Sequence, residues 1–180
     1  VGANWRISQE EFMKNVRWVN NLSVKVSYGV QGNDRLLDSN GDDIYYAWQS
    51  FYSLSYPNNT MNGAALSSLE NKGLKWEKNG NLNVGVEGRL FDRVSFSVEW
   101  YQRKTSDMLM SFPMATSLGF DGYNKNIGSM RNRGLDVSIA TDIFQQPNFG
   151  WRLTLMGSTV KNEVLQLADK PEIINGSYII

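Results

Sequence analysis

Hydrophobic and polar side chains alternate along several stretches of the chain, most clearly within residues 74–110. From residue 82 to residue 90 the even positions are apolar or glycine, and the odd positions are polar or glycine. After Phe91-Asp92-Arg93 the alternation resumes, with Val94, Phe96, Val98 and Trp100 on one side. Successive side chains of a strand point to opposite faces, so the pattern predicts two strands with one apolar face each. The short segment between them predicts a tight turn and an antiparallel hairpin.

The same alternation predicts strands at residues 22–30, 127–144 and 149–160. Residues 145–148, which contain Pro147, predict a second tight turn. One short helical turn is predicted near Gln9-Asn15, because Ser8 and Glu11 have the spacing of a capping box. Residues 44–54, inside the long irregular segment 32–75, are expected to pair in part as an extended ribbon.

Shorter and longer connections alternate along the chain, which is the layout of an outer-membrane barrel. Aromatic residues lie at or beside the tight turns, as they do at a membrane interface: Phe91, Phe144, Phe149 and Trp151. The faces opposite the apolar ones carry polar residues that suit a hydrated interior. These features favour a transmembrane β-barrel. A soluble β-sandwich or β-solenoid would show the same alternation and is the alternative.

Composition narrows the possible functions. Lys and Arg total 18 and Asp and Glu total 18, so the formal net charge of zero argues against a nucleic-acid binder. The chain has no Cys and no His. It therefore has no disulfide or thiolate site, and it lacks the commonest general base and the commonest metal ligand. Carboxylate catalysis and an oxygen-ligand calcium site stay open as the less favoured alternatives, and we expect no enzyme, no metal site and no cofactor. It has no apolar run long enough for a transmembrane helix, and its first residues lack the basic and apolar regions of a signal peptide.

The number of predicted strands limits what this chain can be. A membrane barrel needs about eight strands, and an open sheet in lipid would leave backbone groups unpaired. The alternating stretches supply only five or six. Residues 1–180 are therefore expected to be part of a larger transmembrane barrel, with the remaining strands outside this sequence.

The aromatic segment 45–56 is the best candidate for ligand binding. Aromatic rings stack on sugar rings, and the polar tips of Tyr and Trp can form hydrogen bonds. The candidate residues are Tyr45, Tyr46, Trp48, Tyr52 and Tyr56. The alternative is that these rings pack the loop or contact a partner protein.

Charged residues on the polar faces of the hairpin form a second candidate group. Glu87, Arg89, Glu99 and Arg103 are expected to face the barrel lumen and to form a cross-strand charge ladder. A carboxylate pair for glycoside hydrolysis is the less favoured interpretation. Residues 38–43 resemble the start of a calcium loop, but Asp43 and Gln49 replace the expected Gly and Glu, so a solvated acidic loop is preferred.

Several motifs together resemble the C-terminal barrel region of SusC/RagA-type TonB-dependent transporters of Bacteroidetes. WRISQEEF (residues 5–12) and LSVKVSYGVQGN (residues 22–33) are similar to two segments of that family. The hairpin carries its residues Trp76, Glu77, Asn81, Gly85, Phe91, Arg93, Tyr101, Thr105, Asp107 and Leu109. The next segment matches through Asn126, Gly128, Asn132 and Gly134, with Asp136 where Glu is usual, and then through Asn162, Val164 and Leu167. The five segments occur in the family's order over nearly the whole chain.

The resemblance implies a barrel of about 22 strands with a plugged lumen in the Gram-negative outer membrane. It also implies import of oligosaccharides or peptides with energy from TonB, together with a SusD-like surface lipoprotein. The plug and the segment that contacts TonB are not in this sequence. Phe91-Asp92-Arg93 is then a periplasmic turn, and Leu82, Val84, Val86, Val94, Phe96 and Val98 face lipid. A non-transporting β-rich binding or adhesin module is the alternative function.

Overall fold

A computed structural model describes residues 1–38, 40–58, 61–120, 122–167, 174–175 and 178–179. The strands in these ranges are β1 (Gly2–Arg6), β2 (Val19–Asn33), β3 (Phe51–Asn58), β4 (Met61–Ser68), β5 (Glu77–Leu90), β6 (Val94–Ser106), β7 (Leu109–Pro113), β8 (Gly122–Asn126), β9 (Ser129–Gln146), β10 (Phe149–Gln166), β11 (Ile174–Asn175) and β12 (Tyr178–Ile179). Short 3-10 helices cover Ile7–Gln9, Glu11–Met13 and Thr116–Leu118. Within the described ranges, no helix is long and apolar enough to cross a membrane.

The strands confirm the predicted all-β, antiparallel fold. One six-stranded sheet has the order β1-β2-β5-β6-β9-β10, and three two-stranded ribbons are formed by β3-β4, β7-β8 and β11-β12. The predicted strands are all present. β2, β5, β6 and β10 extend beyond the predicted ranges, whereas β9 has the predicted length of 18 residues and is shifted by two residues. The ribbon expected at residues 44–54 begins only at Phe51, where β3 pairs with β4.

The chain forms two compact units. The first contains residues 1–31, 80–104 and 131–163, including most of the six-stranded sheet and both tight turns. The second contains residues 32–79, 105–130 and 164–180, including the long connections and the three ribbons. Short and long connections thus separate into different units, as the alternation of loop lengths indicated.

The three short connections of the first unit meet at one end of the sheet. Phe91 and Asp92 have φ angles of 55° and 57°, and the Arg93 amide donates to the Leu90 carbonyl at 3.1 Å, which closes a tight turn. The Phe91 amide donates to the Trp18 carbonyl at 2.8 Å. The Asp142 amide, near the end of β9, donates to the Arg93 carbonyl at 3.0 Å. The ends of β1–β2, β5–β6 and β9–β10 therefore lie side by side.

The predicted capping box at Ser8 is wrong. Two 3-10 turns form here instead of one helical stretch over Gln9-Asn15, and neither has a side-chain cap. Ser8 lies inside the first turn, and its Oγ is 3.3 Å from Oδ1 of Asn21 on β2. Each turn is only three residues long. It therefore lacks the row of free N-terminal amides that a capping box satisfies in an α-helix.

The sheet does not enclose a hydrophobic core. Ile127 is the buried hydrophobic residue among those described, while Leu135, Ile139, Leu153 and Leu155 on β9 and β10 are exposed. The accessible surface is 13,774 Å², against about 8,800 Å² expected for a soluble monomer of this mass. A sandwich would bury one apolar face of each sheet. The described strands therefore do not form a sandwich, and that alternative is wrong.

Candidate functional site

The polar face of the first unit collects the charged residues expected from the hairpin pattern. Arg103 Nε donates to Asn81 Oδ1 at 2.8 Å across β5 and β6. Gly85 faces the Glu99 side chain across the same two strands. Odd-numbered residues of both strands therefore share one face, which carries Glu87, Arg89, Glu99 and Arg103. That this face meets a lumen stays a prediction.

The partners of these charges come largely from other strands. Glu87 accepts hydrogen bonds from Lys25 Nζ at 2.5 Å and from Ser23 Oγ at 3.1 Å, both on β2. Arg89 donates to the Asp92 carbonyl at 2.6 Å and lies 3.9 Å from the Asp142 carboxylate. The face is therefore linked by ion pairs between strands that are far apart in sequence.

Arg152 extends this linkage to the last strand of the sheet. It contacts both carboxylate oxygens of Asp142, at 2.7 and 3.1 Å. Two parallel contacts from one guanidinium fix the geometry of the pair more firmly than a single contact would. Ion pairs thus run from β2 to β5, and from β5 through β9 to β10.

A hollow of about 400 Å³ lies on this polar face between β1, β2, β5 and β6. Its polar lining includes Asn4, Lys25, Asn83, Glu87 and Glu99. Carboxylates, an ammonium group and amides at one surface can form hydrogen bonds with hydroxyl groups or peptide groups. This surface is suited to polar solutes in water.

A second hollow, of about 460 Å³, lies within the second unit and combines aromatic and charged side chains. Tyr45 and Trp48 from the aromatic segment line it together with Trp76, Leu36, Ile44, Leu74, Leu109, Asp34, Lys72 and Lys75. Flat apolar rings beside hydrogen-bonding groups form a surface on which a sugar ring or an aromatic side chain can stack. We call this set of residues the aromatic hollow.

The other aromatic candidates lie outside the aromatic hollow. Tyr46 and Tyr52 do not line it and are 58% and 66% exposed. The side chain of Tyr56 lies outside the described residues, although its backbone pairs in β3. Of the four predicted residues whose side chains the structure describes, two therefore line the aromatic hollow.

Trp76 was not among the predicted ligand residues. A Cβ atom on Gly32 would lie 2.8 Å from the Trp76 ring, so the indole packs directly on the Gly32 backbone. Its position just before β5, in the hairpin that carries the family resemblance, was the available sequence signal. The ring is 70% exposed, which leaves most of it accessible to a ligand.

Backbone turns hold one wall of the aromatic hollow. The Ile44 amide donates to the Leu36 carbonyl at 2.8 Å, and Leu37 pairs with Asp43 as an isolated bridge. Between them, Asp38 Oδ1 accepts from the amides of Asn40 and Asp42 at 2.8 and 2.9 Å. These backbone amides, chiefly that of Asp42, lower the pKa of Asp38.

The Asp38 carboxylate therefore accepts hydrogen bonds from backbone amides of its own turn. In a calcium loop the same carboxylate would point its oxygens at the ion. Arg35 Nε also donates to Asp43 at 2.7 Å, which ties the two sides of the turn together. The preferred interpretation, a solvated acidic loop, agrees with this geometry.

Asn126 holds the opposite wall. Its Oδ1 accepts from the Lys75 amide at 2.6 Å, and its Nδ2 donates to the carbonyls of Lys75 and Asp107 at 2.7 and 2.8 Å. Asp107 has a φ of 55° and Gly128 a φ of 89°, so two irregular backbone positions flank this contact. The motif residues that carry the family resemblance thus form the structural frame of the hollow.

Comparison with known protein families gives a match over almost the whole chain. The family described as "TonB dependent receptor-like, beta-barrel" matches residues 1–175. TonB-dependent receptor P39 of Formosa agariphila is 36% identical over 181 residues, which cover 100% of this chain and 17% of that protein. TonB-dependent receptor SusC of Bacteroides thetaiotaomicron is 29% identical over 175 residues, covering 93% of this chain and 17% of that protein.

Solved structures give the same result. The RagAB peptide importer in its closed-closed state superimposes with a TM-score of 0.80 and 27% identity, over 98% of this chain and 19% of that chain. Its open-open state gives a TM-score of 0.82 and 26% identity. The chain thus spans less than a fifth of the length of these relatives.

Proposed function

The chain belongs to the TonB dependent receptor-like β-barrel family, and on this premise we propose that it is part of the barrel of an outer-membrane transporter. In this proposal residues 1–180 form a partial transmembrane barrel domain, and the plug and the other strands lie elsewhere in a longer protein. The complete barrel has about 22 strands. The family is one of receptors and transporters, so we propose no catalytic role for the carboxylates on the polar face.

The exposed apolar face of the sheet is the observation that carries this proposal. The chain exposes about 5,000 Å² more surface than a soluble protein of its mass would. Lipid against one face and the plug and lumen water against the other would account for that excess. In this arrangement Val86 and Phe96 face lipid, whereas Glu87, Arg89, Glu99 and Arg103 face the lumen.

Aromatic pairs at the turn end of the sheet support the membrane orientation. Trp18 stacks on Phe91 with ring centroids 5.6 Å apart, and Phe144 stacks on Trp151 at 6.0 Å. Aromatic residues at both membrane interfaces are typical of outer-membrane barrels, and short turns face the periplasm. We therefore place the Phe91-Asp92-Arg93 turn at the periplasmic interface.

The two edges of the sheet support continuation of the barrel. β1 and β10 are the outermost strands of the described sheet, and β10 presents 18 residues along its outer side. Each unpaired backbone group in lipid costs several kcal/mol, so a membrane sheet closes on itself. Further strands of the same barrel would pair with both edges.

We propose that the transporter imports an oligosaccharide or a peptide, with TonB supplying energy through the plug and a SusD-like lipoprotein as surface partner. The SusC relative and the RagAB peptide importer support this class of activity. The aromatic hollow suits either ligand, since its rings can stack on a sugar or on an aromatic side chain. Tyr45, Trp48 and Trp76 are the proposed contacts, whereas Tyr46 and Tyr52, which lie outside the hollow, are not.

The test uses the complete gene that encodes this chain, in its own bacterium. Deletion should abolish growth on one defined oligosaccharide or peptide mixture as the limiting nutrient, and the wild-type gene should restore it. Trp48→Ala should raise the nutrient concentration that gives half-maximal growth, while Tyr52→Ala should not. Unchanged growth of the deletion strain on every nutrient, with the protein binding those nutrients at the cell surface, would favour the adhesin-like alternative.

A further inference from the structure

The apolar face of the first unit changes character at the end remote from the tight turns. On β9 the side chains of Leu135 and Ile139 share a face with Arg131 and Arg133, because all four are odd-numbered positions of one strand. On β10, Lys161 follows Trp151, Leu153 and Leu155 on the same face for the same reason. Each strand is thus apolar near the turn and cationic farther along.

Contacts between the strands bring these cations together. Arg131 Nη2 donates to Glu163 Oε2 at 2.7 Å, and Arg133 Nη2 lies 4.0 Å from the same oxygen. Gly134 on β9 lies against the Tyr101 ring on the neighbouring strand β6. Because the two strands are antiparallel, Lys104, three residues after Tyr101, lies beside Arg131, three residues before Gly134. We call Lys104, Arg131, Arg133 and Lys161 the basic cluster.

The basic cluster has more positive charge than its own acidic residue can balance. Among the described residues, Glu163 is the carboxylate that forms ion pairs with the cluster, against four cations. Lys104 and Lys161 are exposed, and the side chains of Arg131 and Arg133 are 29% and 41% exposed. Accessible guanidinium and ammonium groups side by side are suited to an anion with several oxygens.

The depth of the cluster indicates where such an anion would come from. Lys161 is 12 residues from Phe149, which is the first residue of β10. At ~3.3 Å per residue and a strand tilt of ~40°, that distance corresponds to ~30 Å along the membrane normal. This equals the thickness of a hydrocarbon core, ~30 Å. If Phe149 lies at the periplasmic interface, the cluster lies at headgroup level in the opposite leaflet.

We propose that the basic cluster binds the phosphate groups of a phosphorylated, acylated glycolipid of the lipid A type in the outer leaflet. The inference rests on the proposed membrane function, because only that function turns this face toward lipid. The apolar residues leading to the cluster contact the acyl chains, and the guanidinium groups meet the phosphate oxygens. A zwitterionic lipid would leave the excess positive charge unbalanced.

The test uses the complete protein in a neutral detergent. Wild-type protein is titrated with fluorescent lipid A and with the same lipid after removal of its phosphates. We expect at least tenfold tighter binding of the phosphorylated lipid. The triple variant Arg131→Gln/Arg133→Gln/Lys161→Gln should lose that preference. A matched control, Arg6→Gln/Lys25→Gln/Arg103→Gln, removes three charges from the opposite face and should retain it.

Equal binding of both lipids by the wild type, or full retention of the preference by the triple variant, would overturn the proposal. If the triple variant does not fold, the double variant Lys104→Gln/Lys161→Gln changes only exposed side chains and should weaken binding at least threefold. Insertion of the wild type into phosphatidylcholine vesicles is measured in parallel. Failure to insert contradicts the membrane function itself, whereas normal insertion without a phosphate preference contradicts only the lipid site.

Discussion

Gly134 is the position in the sheet where one added methyl group should do the most damage. A Cβ atom there would overlap the Thr159 carbonyl oxygen on β10 and lie 2.5 Å from the Tyr101 hydroxyl oxygen on β6. The tyrosine ring covers the glycine from one neighbouring strand, and the backbone of the other closes the remaining space. An alanine therefore cannot be accommodated by a side-chain rotation alone.

The expected cost of Gly134→Ala combines two effects. Overpacking of a filled site costs ~1–3 kcal/mol. Displacement of the Thr159 carbonyl also weakens a backbone hydrogen bond, which contributes ~1 kcal/mol. We expect a loss of ~2–4 kcal/mol in the free energy of unfolding, as the sum of these two effects. Gly29→Ala is the matched control, because nothing lies within 4 Å of its Cβ position, and we expect a change within ~0.5 kcal/mol.

The measurement is equilibrium unfolding in urea of the complete protein in lipid vesicles, followed by tryptophan fluorescence. Adding Tyr101→Ala to Gly134→Ala should recover only part of the loss, since the ring is removed but the Thr159 carbonyl stays. Equal unfolding midpoints for Gly134→Ala and Gly29→Ala would refute the reasoning. Full recovery by Tyr101→Ala would show that the carbonyl plays no part.

Three further predictions follow from the face assignments and the frame of the aromatic hollow. Val86→Arg should lower the free energy of unfolding by ~2–4 kcal/mol if that position lies near mid-membrane, while Phe96→Leu should lower it by under ~1.5 kcal/mol. Urea unfolding in vesicles measures both changes. A negligible change for Val86→Arg would argue against lipid contact. Asn126→Ala removes the side-chain hydrogen bonds to Lys75 and Asp107. A protease should therefore cleave residues 69–76 faster than in wild type. An unchanged cleavage rate would contradict the proposal that Asn126 holds this wall of the hollow. The lowered pKa of Asp38 means that its carboxylate stabilises the turn at and above its ordinary pKa, and that this stabilisation is lost as the pH falls through the lowered value. The protection of the Asn40 and Asp42 amides against hydrogen exchange, relative to an unstructured chain at the same pH, should therefore fall on acidification in wild type but not in Asp38→Asn. Protection in wild type that does not change with pH would show the reasoning to be wrong.

The sequence predicted that aromatic residues would form the binding site, but it did not predict which of them line the hollow. The run of aromatic residues identified Tyr45 and Trp48, which line the hollow, but also Tyr46 and Tyr52, which do not. Trp76 joins them from a segment about 30 residues away. Two features decide which rings meet: the turn geometry between residues 36 and 44, and the contacts with residues 71–76. Neither feature produces a periodic pattern in the sequence.

Local sequence rules also failed at two places. The Ser8 and Glu11 spacing is that of a capping box, yet the 12 residues between β1 and β2 form two 3-10 turns without side-chain caps. Similarly, the charges at Glu87 and Arg89 were expected to meet those at Glu99 and Arg103. Strand order placed Lys25 next to Glu87 and Asp142 near Arg89 instead.

The sequence by itself determined the strands, the two tight turns and the polar and apolar faces, because alternation with period two and turn composition are properties of neighbouring residues. Its motifs, and not the alternation, indicated the family. Only the tertiary structure decided how many strands share one sheet, which charges pair across it and which rings line the aromatic hollow. It also showed that apolar side chains of β9 and β10 are exposed and not packed in a protein core, a point on which alternation is silent. These outcomes depend on contacts between segments more than 70 residues apart, and such contacts are fixed by strand pairing and not by any local pattern.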